Sequence, residues 1–158
     1  MNILFLCTGN SCRSVLAEAT FNALAGSEMR AISAGSHPTG TVHPRSLALL
    51  RREGISTEGL HSKSWTGLPT IPDIVITVCG NAAGETCPAY LGPGLRSHWG
   101  VEDPAKATGT DAEIDSKFEQ AYRTLRVRIE AFLKLPLDRL KHDREQLTVA
   151  LDRIAQLS

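Results

Sequence analysis

The residues best suited to chemistry in this 158-residue chain stand in one octet, Cys7-Thr8-Gly9-Asn10-Ser11-Cys12-Arg13-Ser14. Five residues separate Cys7 from Arg13, which lets the backbone curl into a cup with several N–H groups pointing inward. The apolar run Asn2 to Leu6 precedes the octet and a helix-like stretch, Ser14 to Ala25, follows it. A helix N-terminus therefore adds its partial positive charge at the rim. Such a cup binds a tetrahedral oxyanion through the backbone of Thr8, Gly9, Asn10, Ser11 and Cys12, with Arg13 gripping two oxygens in its planar fork. The field that binds the anion also favours the thiolate, so Cys7 is expected to ionise well below the ordinary thiol value of ~8.5. That is a nucleophile built to attack a phosphate-like centre. Cys12, by contrast, reads as a packing thiol.

Strand and helix patterns alternate around this octet. Asn2 to Cys7 reads as a buried strand, and Ser14 to Ala25 as an amphipathic helix using Val15, Leu16, Ala19, Ala23 and Leu24. Arg30 to Ser33 is a second strand ending at Ala34-Gly35, and His43-Pro44 opens a helix through Arg52 that Gly54 closes. Asp73 to Cys79 is the clearest strand, a β-branched run with no polar face, and Arg96 to Trp99 is a short fourth. Apolar positions at Ile114, Phe118, Tyr122, Leu125, Ile129 and Phe132 make a long helix. Thr110 to Glu113 has capping-box spacing before it, and Pro136 ends it. The tail from Asp138 carries one more amphipathic helix through Leu147, Leu151 and Ile154. The alternation predicts a small α/β fold with a parallel sheet flanked by helices. Ligands bind such sheets at the carboxyl ends of the strands, where both Cys7 and Cys79 fall.

Composition narrows the class of protein. A chain with 42% apolar and 22% charged residues is an ordinary globule, and its zero net charge argues against nucleic acid or an anionic membrane as partner. No run approaches the ~20 apolar residues of a membrane helix, and no basic segment marks a signal peptide. The expected compartment is the cytoplasm, where four cysteines are more readily catalytic or metal-binding than structural. A zinc site drawn from Cys79, Cys87, His61 and His98 has poor spacing.

With Asp103-Pro104 downstream, the octet resembles that of the low-molecular-weight protein tyrosine phosphatase superfamily. Ser33-Ala34-Gly35, Val78-Cys79-Gly80, Cys87-Pro88 and His98 to Pro104 are similar to its arsenate reductase branch. The resemblance is collinear from Met1 to about Leu135. It implies a four-stranded parallel sheet flanked by helices in residues 1–137; the tail 138–158 lies outside what the shorter thioredoxin-linked members carry and reads, from its own spacing, as a helical extension packed on that domain.

The resemblance also implies a mechanism. Cys7 attacks arsenic of bound arsenate, Arg13 and the loop amides stabilise the charged centre, and Asp103 protonates the leaving oxygen. Ser14 hydrogen-bonds the Cys7 sulfur, and Asn10 braces the loop from behind. Cys79 then attacks the Cys7 sulfur, arsenite leaves, and Cys87 takes over the disulfide for reduction by thioredoxin or by glutathione and glutaredoxin. No tightly bound cofactor is implied. Asn10, Glu18 and Ser33 resemble part of a potassium site, but Ser64 stands where the family has an aspartate. Cys79 and Cys87 are also one residue further apart than in thioredoxin-linked members. Two other functions share much of this apparatus: a tyrosine phosphatase using Cys7, Arg13 and Asp103, and a non-catalytic oxyanion or arsenite sensor. Against the phosphatase, Asp103-Pro104 is followed by Ala105-Lys106-Ala107, with no aromatic to hold a phosphotyrosine ring.

Overall fold

The structure is a computed structural model that describes residues 1–79 and 94–158. Four strands, β1 (Asn2–Leu6), β2 (Arg30–Ala34), β3 (Ile74–Thr77) and β4 (Leu95–His98), form a parallel sheet in the order β2-β1-β3-β4. The strand order reverses between β1 and β3, where Leu6 pairs with Thr77. Cys7 and Cys79 follow those two strands at their carboxyl ends, the place where such sheets bind ligands. Every residue of β3 is buried, which is why Ile74 to Thr77 shows no polar face in the sequence.

Helices α1 (Arg13–Leu24), α2 (Pro44–Arg52), α3 (Asp111–Leu133), α4 (Leu137–Leu140) and α5 (Arg144–Ile154) flank the sheet among the described residues. The capping box forms at Thr110, whose hydroxyl accepts from Glu113 N while the Glu113 carboxylate accepts from Thr110 N. Gly54 takes a φ of +72° just past the end of α2, as a helix-closing glycine should. Phe5, Phe21, Trp99 and Phe132 form one aromatic cluster joining the sheet to α1 and α3. Among the described residues no helix is long and apolar enough to cross a membrane.

Two expectations differ in detail. Helix α1 is not amphipathic: Ser14 to Phe21 are all buried and Ala23 is exposed. It is enclosed by β1 and β2 on one side and by α2 and α3 on others, so small residues such as Ser14, Ala17 and Ala19 replace a polar face. The tail holds two helices rather than one, because Asp143 caps a new start by accepting from Gln146 N at 3.1 Å.

Candidate active site

The segment from Cys7 to Arg13 is held by bonds that run outward. Thr8 O accepts from His37 N, Gly9 O from Thr39 N and Ser11 O from His43 N, each at 3.0 Å. In a trans peptide the N–H points opposite to its carbonyl. The amides of Gly9, Asn10 and Cys12 therefore face inward, and the Gly9 amide favours the Cys7 thiolate. Gly35 permits this packing: a Cβ there would strike Thr8 O and lie 2.7 Å from Cys7 O.

Asn10, fully buried with a φ of +46°, closes the loop from behind. Its Nδ2 donates to Ser14 Oγ (2.8 Å) and Ser33 Oγ (2.9 Å), and its Oδ1 accepts from Lys63 N (2.8 Å). Asparagine is among the few side chains that tolerate the left-handed region. Among the described residues the Ser14 hydroxyl meets Asn10 rather than the Cys7 sulfur. Glu18 joins the same cluster: its Oε1 accepts from Ser33 N (2.7 Å), Ser33 Oγ (2.8 Å) and Lys63 Nζ (3.3 Å). The three residues of the potassium resemblance thus converge, with a lysine ammonium on the shared carboxylate. Sequence reasoning missed Lys63, which sits in a polar loop and looks there like any solvated lysine.

Arg13 opens α1 and points toward the loop after β4. Its Nη1 donates to Val101 O at 2.9 Å, and its Nη2 lies 3.4 Å from Asp103 Oδ2. Nε is buried and without a partner among the described residues, a donor in hand for an anion. The second carboxylate oxygen of Asp103 accepts from Ala105 N at 3.0 Å, and Pro104 follows, so the acid is fixed at the mouth of the cup. Beside it lies a cavity of about 320 Å³, which among the described residues is lined by Val101, Asp103, Pro104, Lys117 and others, none of those aromatic.

Cys7 and Cys79, 72 positions apart, are brought close together, both buried. The Cys79 sulfur also accepts from Thr8 N at 3.3 Å and lies 3.6 Å from Thr8 Oγ1. The low thiol pKa expected of Cys7 is not found. The hydrogen bond to Cys79 and then burial push it above the ordinary range, outweighing Arg13 and the Gly9 amide, which pull it down. Two buried sulfurs in contact share a proton well and a second charge badly, and Asp103 spends part of the Arg13 field. Removing the partner sulfur should reverse the direction. In Cys79→Ala the protonated Cys7 loses its acceptor, so its pKa should fall, read as thiolate absorbance against pH. A pKa at or above that of the wild type would refute the coupling. Cys12 is buried too, and burial raises its thiol, as suits a packing residue. Cys87 lies outside the described residues.

The family profile described as low molecular weight phosphotyrosine protein phosphatase matches residues 2–146. An arsenate reductase of Halalkalibacterium halodurans is 40% identical over 131 residues, which cover 82% of this chain and 93% of that protein. A solved arsenate reductase from Archaeoglobus fulgidus superposes with a TM-score of 0.70 at 25% identity, covering 84% of this chain and 99% of that one. A thioredoxin-dependent arsenate reductase of Corynebacterium glutamicum gives a TM-score of 0.57 at 28% identity, covering 82% and 61%. With residues 2–146 matched by the family profile and a relative 40% identical over 82% of its length, the chain belongs to the low molecular weight phosphotyrosine protein phosphatase family.

Proposed function

We propose that this protein is an arsenate reductase acting in the cytoplasm. The observation that carries the reading is the second thiol: Cys79 is buried close to Cys7, and its sulfur accepts from the Thr8 amide of the same loop at 3.3 Å. Ester hydrolysis has no use for a thiol there, whereas reduction needs two electrons from two sulfurs.

Arsenate enters the cup as a tetrahedral anion, held by the inward amides and by Arg13. Its dianion takes the Cys7 proton, and the thiolate adds to arsenic. Asp103 delivers a proton to the oxygen that leaves as water, which gives a Cys7–arsenic(V) bond. Cys79 then attacks the Cys7 sulfur. The sulfur–arsenic electron pair stays on arsenic, arsenite departs, and a Cys7–Cys79 disulfide remains. The two thiols have lost two electrons and arsenic has gained them. Cys87 exchanges with this disulfide, frees Cys7 and forms a Cys79–Cys87 bond, which an external dithiol of the thioredoxin type reduces. Residues 1–137 form the catalytic unit, on which 138–158 pack.

The donor set does not fit potassium. Glu18 Oε1 already has three donors, one of them the ammonium of Lys63, and Ser64 supplies no charge. Turnover is therefore expected to be equal in potassium and in choline salts. A severalfold activation by potassium would contradict this.

Arsenate-dependent oxidation of NADPH tests the function, with thioredoxin and thioredoxin reductase in one arm and glutathione with glutaredoxin in the other. Turnover in the thioredoxin arm supports the full relay, turnover only in the glutaredoxin arm removes Cys87 from it, and none in either defeats the reading. Asp103→Asn should slow the first chemical step roughly a hundredfold, typical for a lost general acid. Affinity for phosphate as a competing anion should survive. An unchanged single-turnover rate would take the acid role from Asp103.

A further inference from the structure

Arg128 is a buried charge that the chemistry above does not use. It lies on α3 three residues after Leu125 and four before Phe132, both fully buried, and is itself only 6% exposed. Burial pulls its guanidinium below the ordinary arginine value. Both of its hydrogen bonds among the described residues run to carbonyl oxygens and neither to a carboxylate. Nε donates to Leu157 O at 2.9 Å and Nη1 to Gly100 O at 3.2 Å. A buried cation is costly unless something negative faces it. Leu157 lies three residues past the end of α5, and its carbonyl turns the negative end of its dipole on the guanidinium.

The other partner leads to the active site. Gly100 and Val101 present successive carbonyls, the first held by Arg128 and the second by Arg13. The same stretch is pinned to β3, with Trp99 N on Thr77 O (2.7 Å) and Val101 N on Val78 O (3.0 Å). Helix α5 is fastened to it as well: Trp99 Nε1 donates to Leu151 O and Ser97 Oγ to Asp152 Oδ1, both at 3.2 Å. A continuous set of polar contacts thus runs from the end of α5 through Arg128, Gly100 and Val101 to Arg13. Asp103 lies two residues further on.

We propose that Arg128 is a positioning residue for oxyanion binding. Anchored on the Leu157 carbonyl, it fixes the Gly100–Val101 backbone, and through the Val101 carbonyl it holds the fork of Arg13 in its binding orientation. This makes the C-terminal segment part of the apparatus that binds the anion. The proposal rests on Arg13 as an oxyanion ligand.

The test is inorganic phosphate binding followed by NMR chemical shifts, which reads millimolar and weaker dissociation constants, in Arg128→Met, Arg13→Ala and the double variant. Arg128→Met should weaken phosphate binding roughly tenfold, the scale of a lost charge-assisted hydrogen bond. In the Arg13→Ala background the same change should alter affinity less than twofold, because its effect passes through Arg13. A purely structural role would lower the melting temperature and cost the same in both backgrounds. Equal losses, or a folded Arg128→Met that binds phosphate like the wild type, would overturn the proposal. If Arg13→Ala itself binds normally, the reading of Arg13 falls and this one with it. If Arg128→Met does not fold, Arg128→Lys and a chain stopped at Ala155 carry the same test. The first keeps the charge but not the two-carbonyl reach, and the second removes the Leu157 carbonyl. Each should weaken phosphate binding severalfold, again only while Arg13 is present, and unchanged affinity in both would refute the proposal.

Discussion

Cys7→Ser is expected to abolish arsenate reduction and any aryl phosphate hydrolysis together, each by at least ~10⁴-fold, the order seen when a covalent nucleophile is removed. The loop would survive the change, since its carbonyls are held from outside by His37, Thr39 and His43 and its centre by Asn10. Phosphate should therefore still bind, and the loss should fall on the chemical step. A serine hydroxyl is a far weaker nucleophile near neutral pH. Parallel assays of phosphate affinity and single-turnover rate separate the two effects. Cys7→Ser turning over within tenfold of the wild type would remove Cys7 from the mechanism.

Cys79→Ser divides the two chemistries that share the cup. Multiple-turnover arsenate reduction should fall to background, at least ~10³-fold, because no second sulfur is there to break the Cys7–arsenic bond. Slow hydrolysis of an aryl phosphate should persist, since it draws only on Cys7, Arg13 and Asp103. Cys87→Ser should stop one step later, with a Cys7–Cys79 disulfide detectable by mass spectrometry after one arsenate turnover. If Cys79→Ser lost both activities at full folding, Cys79 would be needed to shape the cup and would not be a redox partner. If it kept arsenate reduction, the electron route would lie elsewhere.

Much of this site was legible because its parts are local. Cys7 through Arg13 is a continuous stretch between a strand and a helix, and the β-branched run ending at Cys79 points to the same edge of the sheet. The resemblance tied Asp103 to that edge. What escaped was set by partners distant in sequence. The direction of the Cys7 pKa depends on a sulfur 72 positions away, which loop electrostatics alone does not contain. The role of Lys63 depends on where a polar loop crosses Glu18 and Asn10. Helix α1 shows no polar face because other elements enclose it, so a pattern sought for one buried side was too narrow. Arg128 did leave a trace: a lone arginine on the apolar stripe of α3 is a question the sequence poses and only the fold answers.

The register of the central strands bears on how the protein tolerates its own oxidation. Leu6 pairs with Thr77, so Cys7 stands one step and Cys79 two steps beyond the last pair. Neighbouring strands lie ~4.8 Å apart and rise ~3.3 Å per residue, which puts such diagonal α-carbons ~6 Å apart. That falls within the span a disulfide bridges without moving backbone. A covalent bond between the two sulfurs fits this spacing while the β1–β3 ladder keeps every one of its pairs. In the proposed relay the sheet acts as a fixed anvil, and oxidation and reduction at its edge do not have to melt and rebuild the core beneath.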